Sequence, residues 1–91
     1  MNDRPNLDLE LMDRVFGMIT NERDRQVSKW GKQEHSDLRW YAILGEEFGE
    51  IGKSLCEGVD PTEEIVHLLA VGVAWLEHKI TDAGRPQEEG R

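Results

Sequence analysis

The stretch TEEIVHLLAVGVAWLEH, residues 62–78, decides the fold class of this chain. Between residues 65 and 76 every residue is apolar or glycine except His67. A helix that is apolar on every side must be covered on every side. Because a chain of 91 residues has room for only about two further helices of this length, the stretch predicts a helix at the centre of a homo-oligomeric bundle.

Two more helical segments precede it. Apolar residues recur at helical spacing from Leu9 onward, which predicts a first helix over about residues 7–28. The period is lost in the segment 29–37, which is predicted to be a loop. A second helix is predicted over about residues 37–57, after a cap at Ser36 or Asp37 and before a terminating Gly58.

The third helix is predicted over about residues 61–81, because Asp60 suits a cap and Pro61 suits the first helical position. The polar tail, residues 82–91, has no apolar anchor and is expected to be mobile. The sequence has no internal repeat and no strand-like alternation. We therefore predict one all-α domain over residues 1–91, ordered over about 7–81, that forms a bundle of three main helices and oligomerises into a larger bundle.

Charge and composition exclude several classes of protein. The net charge of -8 opposes binding of nucleic acid through its phosphates. Cys56 is the only cysteine, so a disulfide framework and a cysteine metal site are excluded. No apolar run reaches the roughly 20 residues of a membrane helix, and the first ten residues are polar, unlike a secretory signal. We expect a cytoplasmic protein with no membrane partner.

Helix two places two glutamates at the edge of its apolar stripe. At 100° per residue, Glu47 and Glu50 are neighbours on the helix surface and border the core. Gly45, Gly49 and Gly52 form a strip of small residues on the other side of the stripe. Each glycine costs roughly 1 kcal/mol in a helix relative to alanine, so the strip predicts close approach of another backbone.

Helix three repeats this spacing with Glu64 and His67. Carboxylates of Glu47, Glu50 and Glu64 that point into one space would repel each other, and a divalent cation relieves that repulsion. Mg²⁺ takes oxygen ligands and is often completed by substrate phosphates. The pattern is compatible with a metal site, but spacing alone favours a solvated acidic edge, because two glutamates three residues apart are common on helices.

On that alternative, Lys53 or Arg39 would pair with the acids. Glu46, Glu57 and Glu63 are expected to be surface charges.

Helix one and the loop offer two further candidates. Glu22, Arg23 and Gln26 continue an apolar stripe, so they form either a buried hydrogen-bond network or one wall of a polar pocket. Trp30 and Trp40 each offer an aromatic ring on which a nucleobase could stack, and the alternative is that they anchor the core. For Trp40, which lies in the apolar stripe of helix two, we favour the core.

These residues resemble a known family. The order E-x-x-E, a short gap and E-x-x-[acid] across two helices is similar to that of the all-α nucleoside triphosphate pyrophosphohydrolases, the MazG-like proteins and their relatives. Here Glu50 and Glu64 are separated by thirteen residues. The string NERDRQVSKWGKQEHSDLRWYAILGEEFGEIGKSLCEG, residues 21–58, resembles the short MazG-like proteins of phages and bacteria. The resemblance covers about residues 20–78.

The resemblance implies a helical bundle that forms dimers or tetramers and hydrolyses a (deoxy)nucleoside triphosphate to monophosphate and pyrophosphate. It implies catalytic roles for Glu47 and Glu50. It implies Mg²⁺, or alternatively Mn²⁺, held by Glu47, Glu50 and Glu64, with His67 at the fourth position.

The same resemblance implies nucleotide contacts from three more residues, Trp30, His35 and Lys53. The chain departs from the family at His67, where the pattern has aspartate. The difference matters because histidine suits Mn²⁺ better than Mg²⁺. The departure leaves an alternative function, a degenerate module that binds a nucleotide or a protein partner without turnover.

Overall fold

The computed structural model describes residues 7–83 and places them in three helices, α1 (Leu9–Trp30), α2 (Asp37–Cys56) and α3 (Thr62–Ala83). No strand occurs within residues 7–83, so the predicted all-α class is confirmed. Helix α3 includes residues 82 and 83, the first two of the predicted tail. The rest of that tail lies outside the described residues.

Capping residues set the limits of α1. The Asp8 side chain accepts a hydrogen bond of 3.0 Å from the Leu11 N–H, which satisfies one of the free amides of the first turn. Gly31 ends the helix at a φ of 74°, and its N–H donates to the Val27 carbonyl at 2.8 Å. The helix therefore runs two residues past the predicted end, because the glycine and not the loss of apolar spacing terminates it.

The limits of α2 agree with the capping signals in the sequence, whereas α3 begins at Thr62, one residue later than predicted, so that Pro61 and not Asp60 holds the cap position. The Ser36 hydroxyl accepts from the Arg39 N–H at 3.1 Å, and Gly58 follows the helix at a φ of 73°, a conformation that favours glycine. The first helical hydrogen bond of α3 runs from the Ile65 N–H to the Pro61 carbonyl at 2.9 Å.

The three helices form an open layer with α3 in the middle. Helices α1 and α2 both pack against α3 and make no backbone contact with each other. The molecule is flat, with extents of 45 × 44 × 23 Å. Because α1 and α2 do not meet, the bundle is open, and one face of α3, with Leu69 and Leu76 exposed, is left uncovered within the chain.

Little of the apolar surface is buried within one chain. Among the described residues only Trp40, Ala70 and Val71 are buried apolar residues. Apart from the backbone of their own helix and their chain neighbours, Gly45, Gly49 and Gly52 have no atom of the described residues within 4 Å of the position that a Cβ would occupy. The expectation that these glycines admit a neighbouring helix is therefore wrong within one chain.

Polar contacts fasten the outer helices to α3. Asp37, the first residue of α2, accepts from the Trp75 indole N–H at 2.9 Å and from the Lys79 ammonium at 3.0 Å. Arg23 of α1 donates to Glu77 at 2.6 Å. None of the three helices, over the residues described, combines the length and the apolar character that crossing a membrane would require.

Candidate functional site

A cavity of about 220 Å³ lies between the three helices, on one side of the layer. We call it the polar cavity. Ile43, Val71 and Ala74 supply apolar side chains to its lining. Glu47 and His67 lie towards one end, and Trp40 and His78 lie towards the other, because α3 runs from His67 to His78 along the cavity.

His67 lies between two carboxylates. Its Nε2 is 3.8 Å from Glu22 Oε2, and its Nδ1 is 4.0 Å from Glu47 Oε1. Three helices therefore contribute to this end of the cavity, Glu22 from α1, Glu47 from α2 and His67 from α3. The sequence predicts that Glu47 lies at the edge of the apolar stripe of its helix and that His67 shares a face of its helix with Glu64. The approach of Glu22 to His67 depends on how α1 crosses α3, which the sequence does not show.

Glu22 is a buried carboxylate whose charge is compensated. Its side chain is 8% exposed, and it accepts two hydrogen bonds from Arg25, at 2.9 and 2.7 Å, and one from Gln26 at 3.3 Å. The Arg25 hydrogen bonds hold the pKa of Glu22 below its usual value, against the effect of burial, and His67 adds to the lowering. Both interpretations of this stripe are thus realised, since Glu22, Arg23 and Gln26 are hydrogen-bonded and also line the cavity.

Glu47 has the opposite electrostatic environment. Burial raises the pKa of its carboxyl, and the negative charges of Glu50, Glu46 and Glu22 add to the rise, while His67 opposes it. Carboxylates with raised pKa values are typical of sites where a proton or a cation is handled. Glu47 is thus the carboxylate of the cavity that would gain most from a positive charge nearby.

Three other residues predicted for the site, Glu50, Lys53 and Glu64, do not line the cavity. Glu50 is exposed on α2, and Lys53 is exposed in the last turn of that helix. Glu64 is half-buried, and its Oε1 atom is buried without a hydrogen-bond partner. In the part of the chain that the structure describes, no group of three His, Cys, Asp or Glu side chains could hold a metal ion as the side chains stand.

The donor chemistry nevertheless fits a hard divalent cation. Glu64 has a buried carboxylate oxygen without a hydrogen-bond partner, and burial raises the pKa of the Glu47 carboxyl, so a nearby cation would stabilise both groups. Oxygen ligands of this kind suit Mg²⁺ and Mn²⁺. Convergence of Glu50 and Glu64 on Glu47 would require their side chains to turn.

Trp30 lines the cavity and is half exposed. Two cations lie over its ring, the Arg25 guanidinium at 5.6 Å and the Lys29 ammonium at 4.8 Å from the centroid. A base that stacks on a face of this ring occupied by one of these cations would have to displace it, at a cost of about 0.5–1 kcal/mol for an exposed cation–π pair.

His35 does not line the cavity; it packs edge-on against Trp40 at 4.8 Å between ring centroids. Trp40 is 3% exposed, which confirms its role in the core. Its indole N–H donates to His78 Nδ1 at 2.9 Å, and the His35 backbone N–H lies 3.5 Å from the same nitrogen.

The sequence analysis did not single out His78 as a site residue. The available signal was the face of α3 on which His67, Val71, Ala74 and His78 recur at intervals of three and four residues.

A second concavity lies among residues of all three helices. We call it the apolar groove; it measures about 950 Å³. Large apolar side chains of the three helices line it, among them Phe16, Tyr41, Leu44, Phe48, Leu69 and Leu76. Asp37 and Lys79, which pair with each other, also border it.

Comparisons of the chain with protein-family models, with curated proteins and with solved structures find no match.

Proposed function

We propose that the protein hydrolyses a (deoxy)nucleoside triphosphate to the monophosphate and pyrophosphate in a metal-dependent reaction. The observation that carries the proposal is the composition of the polar cavity. One end gathers Glu47 and His67 from two helices, 4.0 Å apart, and the other end offers the aromatic ring of Trp40 and the imidazole of His78. A triphosphate with its cation suits the first end, and a base suits the second.

A divalent cation, Mg²⁺ or Mn²⁺, would be held by Glu47, Glu50 and Glu64, with His67 as a fourth donor. Bound there, the cation would neutralise phosphate charge and lower the pKa of a bound water. Glu64 contributes an unpaired buried oxygen to this set.

The chain's own groups would handle the attacking water. Glu47 lies in a partly buried position, and burial raises the pKa of its carboxyl, which makes its carboxylate a better proton acceptor than an exposed glutamate. Glu50 follows one turn later and is its partner in this role. In-line attack on the α-phosphorus would release pyrophosphate.

Product analysis tests the proposal. The purified protein is incubated with a panel of ribo- and deoxynucleoside triphosphates, with Mg²⁺ and separately with Mn²⁺. Monophosphate and pyrophosphate should form with wild type and disappear with Glu50→Gln. Glu46→Gln is the matched control, since Glu46 is also exposed on α2 and lies outside the cavity. Equal activity of the two variants would reject the assignment of Glu50.

The alternative is a module that binds a nucleotide or a protein partner without turnover. Two observations favour it. Glu22, the most buried acid of the cavity, is already neutralised by Arg25, and the fourth ligand position is a histidine. Nucleotide binding by calorimetry without any product would support this alternative and exclude the hydrolase.

We also propose that the apolar groove is covered by a second copy of the chain. Phe16, Tyr41 and Phe48 are 55%, 66% and 70% exposed, and each would bury about 100–150 Å² on association. The exposed aliphatic side chains of Leu69 and Leu76 extend this apolar surface, and burial of apolar surface is the dominant favourable contribution to most protein–protein association. The all-round apolar α3 supports the same conclusion.

A further inference from the structure

We propose that His78 reads the base of the bound nucleotide, by donating a hydrogen bond from Nε2–H to an acceptor atom of that base. The inference rests on the proposed binding of a nucleoside triphosphate in the polar cavity. It assigns a specificity-determining role to His78 and a positioning role to Trp40.

The first step is the tautomer of His78. The Trp40 indole nitrogen can only donate a hydrogen bond, so His78 Nδ1, at 2.9 Å, must accept it. The His35 backbone N–H, at 3.5 Å from the same nitrogen, favours the same arrangement. Because Nδ1 carries a lone pair and no hydrogen, the neutral ring carries its hydrogen on Nε2.

The second step is the position of the ring. Trp40 is 3% exposed and cannot move without disturbing the core. The imidazole is therefore held by a rigid donor, while His78 itself lines the polar cavity. Within residues 7–83 no side chain or carbonyl accepts a hydrogen bond from Nε2. A donor with a fixed tautomer and a free N–H on a cavity wall is suited to recognise an acceptor on a ligand.

The third step is the direction of the ligand. His67 and His78 are eleven residues apart on α3, which corresponds to about 16 Å along the helix axis. This separation is comparable to the length of an extended nucleoside triphosphate. Phosphates at the Glu47 and His67 end would place the base beside His78, on the apolar floor that Ile43 and Val71 help to form.

The first test is nuclear magnetic resonance on the intact protein with ¹⁵N-labelled histidine. We expect His78 to show a hydrogen on Nε2 and none on Nδ1. Its Nε2–H resonance should shift when a nucleoside triphosphate is added and should not shift with inorganic tripolyphosphate. A hydrogen on Nδ1, or binding of the nucleotide without a shift at Nε2–H, would overturn the proposal.

The second test compares the preferred nucleotide with its deaza analogue, in which one ring acceptor nitrogen is replaced by C–H. Wild type should prefer the natural nucleotide in kcat/KM. In His78→Phe the preference should fall by about 5- to 100-fold, the range for an unmade hydrogen bond in a buried site, mainly through KM. His78→Gln keeps an N–H donor and should retain part of the preference. If His78→Phe lowers kcat/KM equally for both nucleotides, the residue is only structural.

His35→Phe separates the two histidines that contact Trp40. If the preference for the natural base disappears in His35→Phe and persists in His78→Phe, the role belongs to His35 and the proposal fails. Wild type that neither binds nor hydrolyses any nucleotide would reject the proposed function together with this inference. Wild type that hydrolyses a nucleotide with no dependence on His78 would reject this inference alone.

Discussion

The polar cavity and the apolar groove are built from the same three helices, yet they differ in how many of their groups have partners within one chain. Around the cavity, the charged groups of Glu22 and Arg23 form hydrogen bonds inside the chain, and Arg23 Nε is the one nitrogen of this pair that is buried without a partner. Around the groove, Phe48 and Leu76 are 70% and 64% exposed. Polar groups that are buried need hydrogen-bond partners within the fold, whereas an apolar surface can stay exposed in one chain and be buried when a second molecule binds. The four predictions below test this difference, from the largest expected effect to the smallest.

The largest effect is expected at the cavity. Glu47→Gln should lower kcat by about 10²–10⁴-fold, the contribution typical of a general base. Folding does not require this charge. The raised pKa of Glu47 means that the folded state disfavours its carboxylate, so the stability of wild type relative to Glu47→Gln should decline as the pH rises through that pKa. Turnover assays and thermal melts between pH 4 and 8 measure both effects, with the window taken from the usual glutamate value of about 4.3.

The matched control for Glu47→Gln is Glu46→Gln, which should retain turnover. A Glu47→Gln protein that loses activity together with a large fall in melting temperature would show that Glu47 stabilises the fold, contrary to the expectation.

The next effect is on stability at the wall of the cavity. Trp40→Ala should lower the free energy of unfolding by about 3–5 kcal/mol, the usual cost of removing a buried aromatic side chain. Trp30→Ala, at a residue that is half exposed, should cost less than about 1 kcal/mol. Urea denaturation at one fixed protein concentration compares them. Similar losses for the two tryptophans would contradict the assignment of Trp40 to the core.

On the groove side, a charge should disrupt association. Phe48→Glu places an ionised carboxylate in the proposed interface, and we expect the dissociation constant of the dimer to rise at least about 100-fold, or about 2.7 kcal/mol. Leu38→Glu is the matched control, because Leu38 is 76% exposed on the same helix and does not line the groove. Sedimentation equilibrium measures both. A wild-type protein that is monomeric at high concentration would refute a second copy as the occupant.

The smallest effect is expected at Asp37, which joins α2 to α3. Hydrogen bonds from Trp75 and Lys79 hold its pKa below the usual value. A group with a lowered pKa stabilises the folded state above its unfolded pKa, and this contribution is lost as the pH falls through the folded value. Asp37→Asn should therefore lower the melting temperature modestly at pH 7, and the difference from wild type should shrink below about pH 4.

Asp24→Asn, at an exposed position of α1, is the control for Asp37→Asn and should differ little from wild type at any pH. A gap between Asp37→Asn and wild type that stays constant from pH 7 to pH 2 would show that the ionisation of Asp37 does not stabilise the α2–α3 contact.

The helices themselves could be predicted from the sequence because their signals are local. Ser36, Gly58 and the apolar period of α3 act within one or two turns, so the number and approximate limits of the helices followed from them. The end of α1 was placed two residues early, since the apolar spacing stops before Gly31 terminates the helix. The exposure of Glu46, Glu57 and Glu63 also followed from their positions on the helix surface.

The geometry of the site was harder to predict from the sequence than the helices, because its contacts join residues that are far apart in the chain. Spacing put Glu47 beside Glu50 and Glu64 beside His67 on their own helices. It could not show that Glu22 reaches His67, at 3.8 Å, or that Trp40 donates to His78, at 2.9 Å. Those contacts depend on the crossing of α1 and α2 over α3, which no local pattern encodes.

The sequence by itself determined that this protein is all-α, where its helices begin and end to within about two residues, and that α3 is too apolar for one chain to cover. Only the tertiary structure decided that α1 and α2 lie apart on α3, which of their side chains share a cavity, and which apolar residues remain exposed in a groove. The physical reason is that capping and helical period act between neighbours in the chain, while the packing of side chains at helix crossings brings together residues tens of positions apart.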